Sequence, residues 1–178
     1  MEMTADYTAI VTCGIDVNRN IYVAEVINKR LLPDEIVDAV FSAHTRFKSQ
    51  VIGIETVGFQ KMLQRDFEQE RIKRHQYPVI KELKSEGRRK SLRIEALQPF
   101  FQSGKILIKE DQTELKTQLL RFPSSRCHDD IIDALAYQLE IIQPAEEKVE
   151  AMNPDSVYAR ILARKRESLN SGDKYYGN

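Results

Sequence analysis

Val51-Ile52-Gly53-Ile54-Glu55-Thr56 decides the fold class: a short, nearly continuous apolar run that ends on a carboxylate. A half-buried strand alternates apolar and polar residues, whereas a run apolar at almost every position suits a strand covered on both faces of a parallel or mixed sheet. Upstream, 7–14 (YTAIVTCG) is apolar and rich in β-formers, and 21–31 (IYVAEVINKRL) alternates. The turn-rich Ile15-Asp16-Val17-Asn18-Arg19-Asn20 between them predicts a hairpin. Pro33-Asp34-Glu35 then sets proline and acids at a helix start. That helix is predicted to about Lys48, with Ile36, Val40, Phe41, His44 and Phe47 on one face.

Downstream of the apolar run, 59–75 reads as a charged helix, 78–80 as a short strand and 81–90 as a basic loop around Gly87. Further segments are a helix over 92–102, a strand over 105–109, a helix over 112–121 and a last core helix over 129–142, stopped by Pro144. Strands alternating with helices argue an α/β domain over residues 1–144. Residues 145–178 are charge-rich and poor in apolar surface, and they read as a mobile or partner-binding tail.

The chain has 178 residues, 42% of them hydrophobic, which suits one domain with a tail. Its formal net charge is zero, so nucleic-acid binding would have to come from local patches. Cys13 and Cys127 make neither a disulfide framework nor a metal-ligand pair, which fits a reducing cytoplasm. No apolar run reaches the roughly 18 residues of a membrane span, so no membrane partner is expected. Residues 1–6 lack the basic and apolar regions of a secretory signal.

The chemistry concentrates in His128-Asp129-Asp130-Ile131-Ile132-Asp133. On a helix, Asp130 and Asp133 are three apart and Asp129 and Asp133 four apart, so each pair shares a face. Acids in a first turn also complement the helix dipole, and a capped amphipathic helix with Asp129 as its cap accounts for the segment equally well. Glu55 adds weight to the functional alternative. It ends an apolar strand, where α/β sheets place functional groups, and a carboxylate there needs a Lys, an Arg or a metal cation. Carboxylates that converge repel unless a divalent ion joins them, and oxygen-only ligands select Mg²⁺ or Mn²⁺. Two such ions could activate water against a phosphodiester. His128 could ligate or relay a proton, or only bond locally. Lys81, Lys84, Arg88, Arg89, Lys90 and Arg93 fall close together around Gly87 and suit phosphate contacts of double-stranded DNA; a solvated surface loop is the plainer alternative.

These residues carry a resemblance. Asp6-Tyr7-Thr8-Ala9-Ile10-Val11, Ile21-Tyr22-Val23, Ile52-Gly53-Ile54-Glu55-Thr56 with Gln60, Lys90 with Arg93-Ile94 and Leu97, Phe122-Pro123, and His128-Asp129-Asp130 with Asp133-Ala134-Leu135-Ala136 follow one another in order over about 5–142. The ordered set resembles the C-terminal nuclease domain of the large terminase subunit of tailed bacteriophages. That resemblance implies an RNase H-like mixed sheet flanked by helices and an endonuclease that cuts concatemeric viral DNA during packaging. It implies Mg²⁺ or Mn²⁺, as two ions in a complete site. The expected catalytic residues are Glu55 and Asp130, then Asp129, Asp133 and His128. The expected metal ligands are Glu55, Asp130 and Asp6. The implied partners are DNA, the terminase ATPase portion, the portal and the small terminase subunit, in a host cytoplasm or as a prophage product.

One departure stands out. The family has a strand before the Asp6 match that bears a principal Asp ligand and is central in the sheet; only five residues precede Asp6 here. The resemblance therefore implies a missing first strand, and a chain that alone binds metal weakly and cuts slowly or not at all. A catalytically incomplete domain that binds DNA or a packaging partner is the first alternative. A fragment of another RNase H-like nuclease, a resolvase or transposase, is the second.

Overall fold

The computed structural model describes residues 7–55, 61–84, 90–124 and 128–142, the side chains of 61–63 excepted. All belong to one compact unit, Met1–Ala145. Five strands and six helices are described, a mixed α/β arrangement.

Tyr7–Ile15 (β1) and Ile21–Arg30 (β2) pair antiparallel, as their composition predicts. Asp16 closes the turn. Its carboxylate accepts from the Asn20 backbone N–H (2.8 Å), the Asn20 side chain (2.8 Å) and the Tyr22 hydroxyl (3.0 Å). Those local bonds favour a turn over continued strand, and Arg19 takes the left-handed φ of 62° that the tight reversal requires.

Helix α1, Pro33–Phe47, starts on proline, and the Glu35 carboxylate accepts from the Leu32 backbone N–H (2.7 Å). It ends where Lys48 turns left-handed (φ 53°) and donates its backbone N–H to the His44 carbonyl. Strand β3, Val51–Glu55, follows, then helix α2, Lys61–Arg74, and strand β4, Val79–Leu83, parallel to β3. The chain continues through α3 (Lys90–Glu95), α4 (Gln98–Gln102), β5 (Ile106–Leu107, parallel to β2), α5 (Thr113–Arg121) and α6 (Asp130–Ile141).

Several expectations change. The loop expected over 81–90 begins as the second half of β4, and Lys90 opens α3. The single helix expected over 92–102 is two, because Pro99 has no N–H to give a continuing helix and restrains the residue before it. The strand expected over 105–109 shortens to two residues. Beyond it the Gln112 side chain replaces the ladder, donating to the Val23 carbonyl (3.0 Å) while accepting from the Lys109 N–H (3.0 Å). In α1 the buried residues are Val37, Phe41 and Ala43; of the residues expected on one face with Phe41, Val40 packs against the Val37–Phe41–Phe67 cluster, and Ile36 and Phe47 line a cavity.

The sheet departs most from expectation. Among the described residues there are two sheets, β1-β2-β5 and β3-β4, in place of one mixed sheet. Two apolar clusters accompany them. The larger joins Val11, Ile21, Val23, Ile94, Leu97, Ile106, Leu115 and the Ile131, Ile132, Leu135 face of α6. The smaller joins Val37, Phe41 and Phe67, with Ile54 and Ile80 packed against it. Helix α6 touches both β1 and β3 and so bridges the sheets. Its N-terminal turn is buried, and each fully buried Ile or Leu on it contributes roughly 1.5–3 kcal/mol relative to exposure.

Candidate functional site

The site forms where β3 ends and α6 begins, and α6 is pinned at three places. Gln118 of α5 is 3% exposed, and its side-chain oxygen accepts from the backbone N–H groups of Ile131 (3.0 Å) and Ile132 (3.3 Å). Those are amides that a helix cannot satisfy internally. The Gln138 side chain donates to the Val11 carbonyl (2.8 Å), and Lys81 donates to the Glu140 carbonyl (2.9 Å) in the last turn. The cap expected from Asp129 is therefore supplied by Gln118. Asp129 makes no side-chain cap bond, and its carboxylate is available to other partners.

Its partner is Lys90. The ammonium lies 2.6 Å from Asp129 Oδ1, 3.6 Å from Asp130 Oδ1 and 3.7 Å from Asp133 Oδ2. Burial opposes the Lys90 charge, but the bond to Asp129 and the neighbouring acids outweigh it and raise its pKa above the ordinary lysine value. Beneath it, Arg93 is 9% exposed and grips Asp133 in a fork: Nε to Oδ1 at 2.8 Å and a terminal nitrogen to Oδ2 at 2.9 Å. The guanidinium carbon sits 3.8 Å from the Tyr137 ring centroid. Burial raises the pKa of Asp133, Arg93 and Lys90 pull it down, and Glu55 raises it again. Glu55 itself is exposed at the end of β3 and accepts from the Tyr137 hydroxyl (2.8 Å). Burial and that bond push the phenol well above its ordinary value, so Tyr137 stays a donor.

The structure thus brings together Glu55, Asp129, Asp130 and Asp133, as the sequence anticipates. It also places Lys90 and Arg93 among them. Arg93, expected on a DNA-facing surface, is buried and committed to Asp133 instead, because an Asp this enclosed needs a paired charge. Lys81 caps α6, and Lys84 is exposed beyond β4. His128 is exposed, 4.0 Å from Asp130 Oδ2 and beyond hydrogen-bond reach, with its ring 5.4 Å from that of Tyr7. Asp6, Arg88, Arg89, Cys127 and the 145–178 tail lie outside the described residues. Cys13 is no reactive thiol: burial pushes its pKa to about 12.

Three residues that matter were not singled out from sequence. Tyr137 and Gln138 lie one turn beyond Asp133 on the same helix, and the spacing could have flagged Tyr137. Gln118 left no signal, because nothing in its own helix marks it as a cap for another.

Among the described residues, the carboxylates of Glu55, Asp129, Asp130 and Asp133 outnumber the Lys90 and Arg93 cations placed among them. Glu55, Lys90, Asp130 and Asp133 line one end of a cavity of about 640 Å³ between β1 and β3. Among the described residues, no group of three or more His, Cys, Asp or Glu is arranged to hold a metal ion. No protein-family model matches the chain, and no curated protein matches it. Among the described residues no helix is long and apolar enough to cross a membrane.

Proposed function

We propose that this chain is an RNase H-like, metal-dependent DNA endonuclease module of the kind found in viral packaging terminases. The observation that supports this reading best is that Glu55, Asp130 and Asp133 line one cavity, with carboxylates in excess of the cations among the described residues. Oxygen-only donors in charge excess suit Mg²⁺ or Mn²⁺. Glu55 and Asp130 are the carboxylates that fit a ligand role, because Asp133 is held by Arg93 and Asp129 by Lys90. When bound, such an ion would supply an activated water and charge stabilisation at the phosphodiester.

The chain's own groups have definable tasks. Tyr137 orients Glu55 by donating to one of its carboxylate oxygens. Arg93 fixes Asp133, and through Tyr137 it packs beneath Glu55. Lys90 is protonated and half-exposed, so it can move from the acids to a DNA phosphate. The viral setting, with an ATPase portion, a portal and a small subunit as partners, rests on the resemblance alone.

A second reading, an incomplete domain that binds DNA without cutting, draws on the commitment of Asp129 and Asp133 to cations. One experiment separates the two. Mn²⁺ binding is followed by electron paramagnetic resonance, and plasmid nicking by gel, for the native chain, Glu55→Gln and Asp130→Asn. The nuclease reading expects weak Mn²⁺ binding that falls about tenfold or more in either variant, with any nicking lost. Binding that neither substitution alters would sink it. DNA binding without Mn²⁺ binding would favour the second reading.

A further inference from the structure

Two cations stand among the acids at the start of α6, and they are held in different ways. Arg93 is locked: it is buried, forked onto Asp133 and stacked on Tyr137. Lys90 is not. Among the described residues its ammonium makes one hydrogen bond, to Asp129 Oδ1 at 2.6 Å. It stands 3.6 Å from Asp130 Oδ1 and 3.7 Å from Asp133 Oδ2, beyond hydrogen-bond length. Its side chain is 40% exposed and swings on a flexible four-carbon stem. Asp129 is a loose anchor as well. Gln118 caps α6 in its stead, and the Asp129 carboxylate makes no cap bond. One displaceable positive charge is thereby shared by three carboxylates of a single helix turn. A divalent ion performs the same service at shorter range and with twice the charge.

We propose that Lys90 is a built-in place-holder: without a divalent ion its ammonium neutralises Asp129, Asp130 and Asp133, and it withdraws when Mg²⁺ or Mn²⁺ takes Asp130. The inference rests on the metal reading of the site and adds what keeps the ion-free site together. Two cations on Asp130 repel each other. Its Oδ1 is 3.6 Å from the ammonium, and like charges about 4 Å apart oppose one another even where water screens them. The competition is reciprocal: Lys90 weakens ion binding by the same factor by which the ion weakens the grip of the acids on Lys90. Released, the ammonium is the cation available to a DNA phosphate. An ion pair that merely ties α3 to α6 makes the opposite prediction. Without Lys90 the three acids would then repel one another apart, and ion affinity would stay level or fall. Place-holding requires it to rise.

Two measurements test the place-holder, and neither reads activity. In the first, Mn²⁺ titrations followed by electron paramagnetic resonance compare the native chain with Lys90→Met and Lys90→Arg. Lys90→Met should bind Mn²⁺ about tenfold or more tighter, within the usual range of coupling between two sites. Lys90→Arg keeps the charge and should show no such gain. The second measurement uses the native chain, and so also covers a Lys90→Met variant that loses its circular-dichroism spectrum. A pulse of acetic anhydride labels the lysines with and without saturating Mg²⁺, and mass spectrometry reads each site. Acetylation of Lys90 should speed up with the ion, while Lys73, bonded to Glu70 on α2, keeps its rate. Unchanged or weaker Mn²⁺ binding by a folded Lys90→Met, or a Lys90 acetylation rate indifferent to Mg²⁺, overturns the proposal. If Glu55→Gln and Asp130→Asn still weaken Mn²⁺ binding in the same titrations, the nuclease reading stands without it. Absence of Mn²⁺ binding in both the native chain and Lys90→Met removes the two together.

Discussion

Arg93 shows how far a single residue's role can depart from its charge. In the sequence it belongs to a basic cluster that suits DNA; in the structure it is buried, forked onto Asp133 and stacked on Tyr137. Removing one partner of such a pair leaves a charge in a poorly solvated place. Arg93→Ala is therefore expected to cost about 3–5 kcal/mol in urea unfolding. The double change Arg93→Met, Asp133→Leu should recover most of that loss, because it leaves no buried charge; a double variant as unstable as the single one would show that packing, not charge, dominates. Gln118 is the quieter case. Its oxygen serves two amides at the buried start of α6, so Gln118→Ala should cost about 1–3 kcal/mol by the same measurement. An unchanged midpoint would mean that water takes over the cap. Neither role was legible in sequence, since both depend on a partner in another helix: Arg93 on Asp133, Gln118 on Ile131 and Ile132.

Elements were more legible than contacts. The hairpin was readable because Asp16 and Asn20 carry their turn chemistry locally, and α1 because Pro33 and Glu35 mark its start. The α3–α4 break was readable in principle from Pro99, but periodicity masked it. What sequence could not reveal was the register of α1, whose cavity-facing and core-facing residues are all apolar. Nor could it show the division into two sheets, which depends on strand order and not on any strand's composition. The hairpin turn gives a test by pH. The backbone bond from Asn20 leads the causes that hold Asp16 below the usual carboxylate range; desolvation opposes it, and the Asn20 and Tyr22 side-chain bonds help to outweigh that opposition. A carboxylate whose folded pKa is depressed stabilises above its unfolded pKa, and that contribution is lost as pH falls through the folded one. Acidification below about pH 4 should therefore speed exchange of the Asn20 amide, and Asp16→Asn should remove the pH dependence of that exchange. An Asn20 amide equally protected at neutral and strongly acid pH would contradict this account of the turn.

At the scale of the molecule, the two apolar clusters share no residue. One holds β1, β2, β5 and the start of α6; the other holds α1, α2, β3 and β4. Helix α6 connects them through Gln138 to Val11 on one side, and through Tyr137 to Glu55 and Lys81 to Glu140 on the other. The candidate site thus sits on the seam, with Glu55 from one half and Asp130 and Asp133 from the helix that belongs to the other. A fold whose core is divided in this way should open in parts, since cooperative units follow contiguous buried contacts. Phe67 is 1% exposed, and its ring lies 5.7 Å from that of Phe41 in the smaller cluster. Phe67→Ala should remove about 3–5 kcal/mol from that cluster. Amide exchange in β3, β4 and α2 is then expected to accelerate strongly, while β1, β2 and the Ile131–Leu135 stretch of α6 keep their protection. Uniform acceleration through both halves would show one cooperative core despite the divided contacts. Partial opening has a consequence for the site as well. With β3 loosened, Glu55 loses its fixed distance to Asp133, so Mn²⁺ affinity in Phe67→Ala should fall together with β3 protection, although Phe67 touches none of the carboxylates.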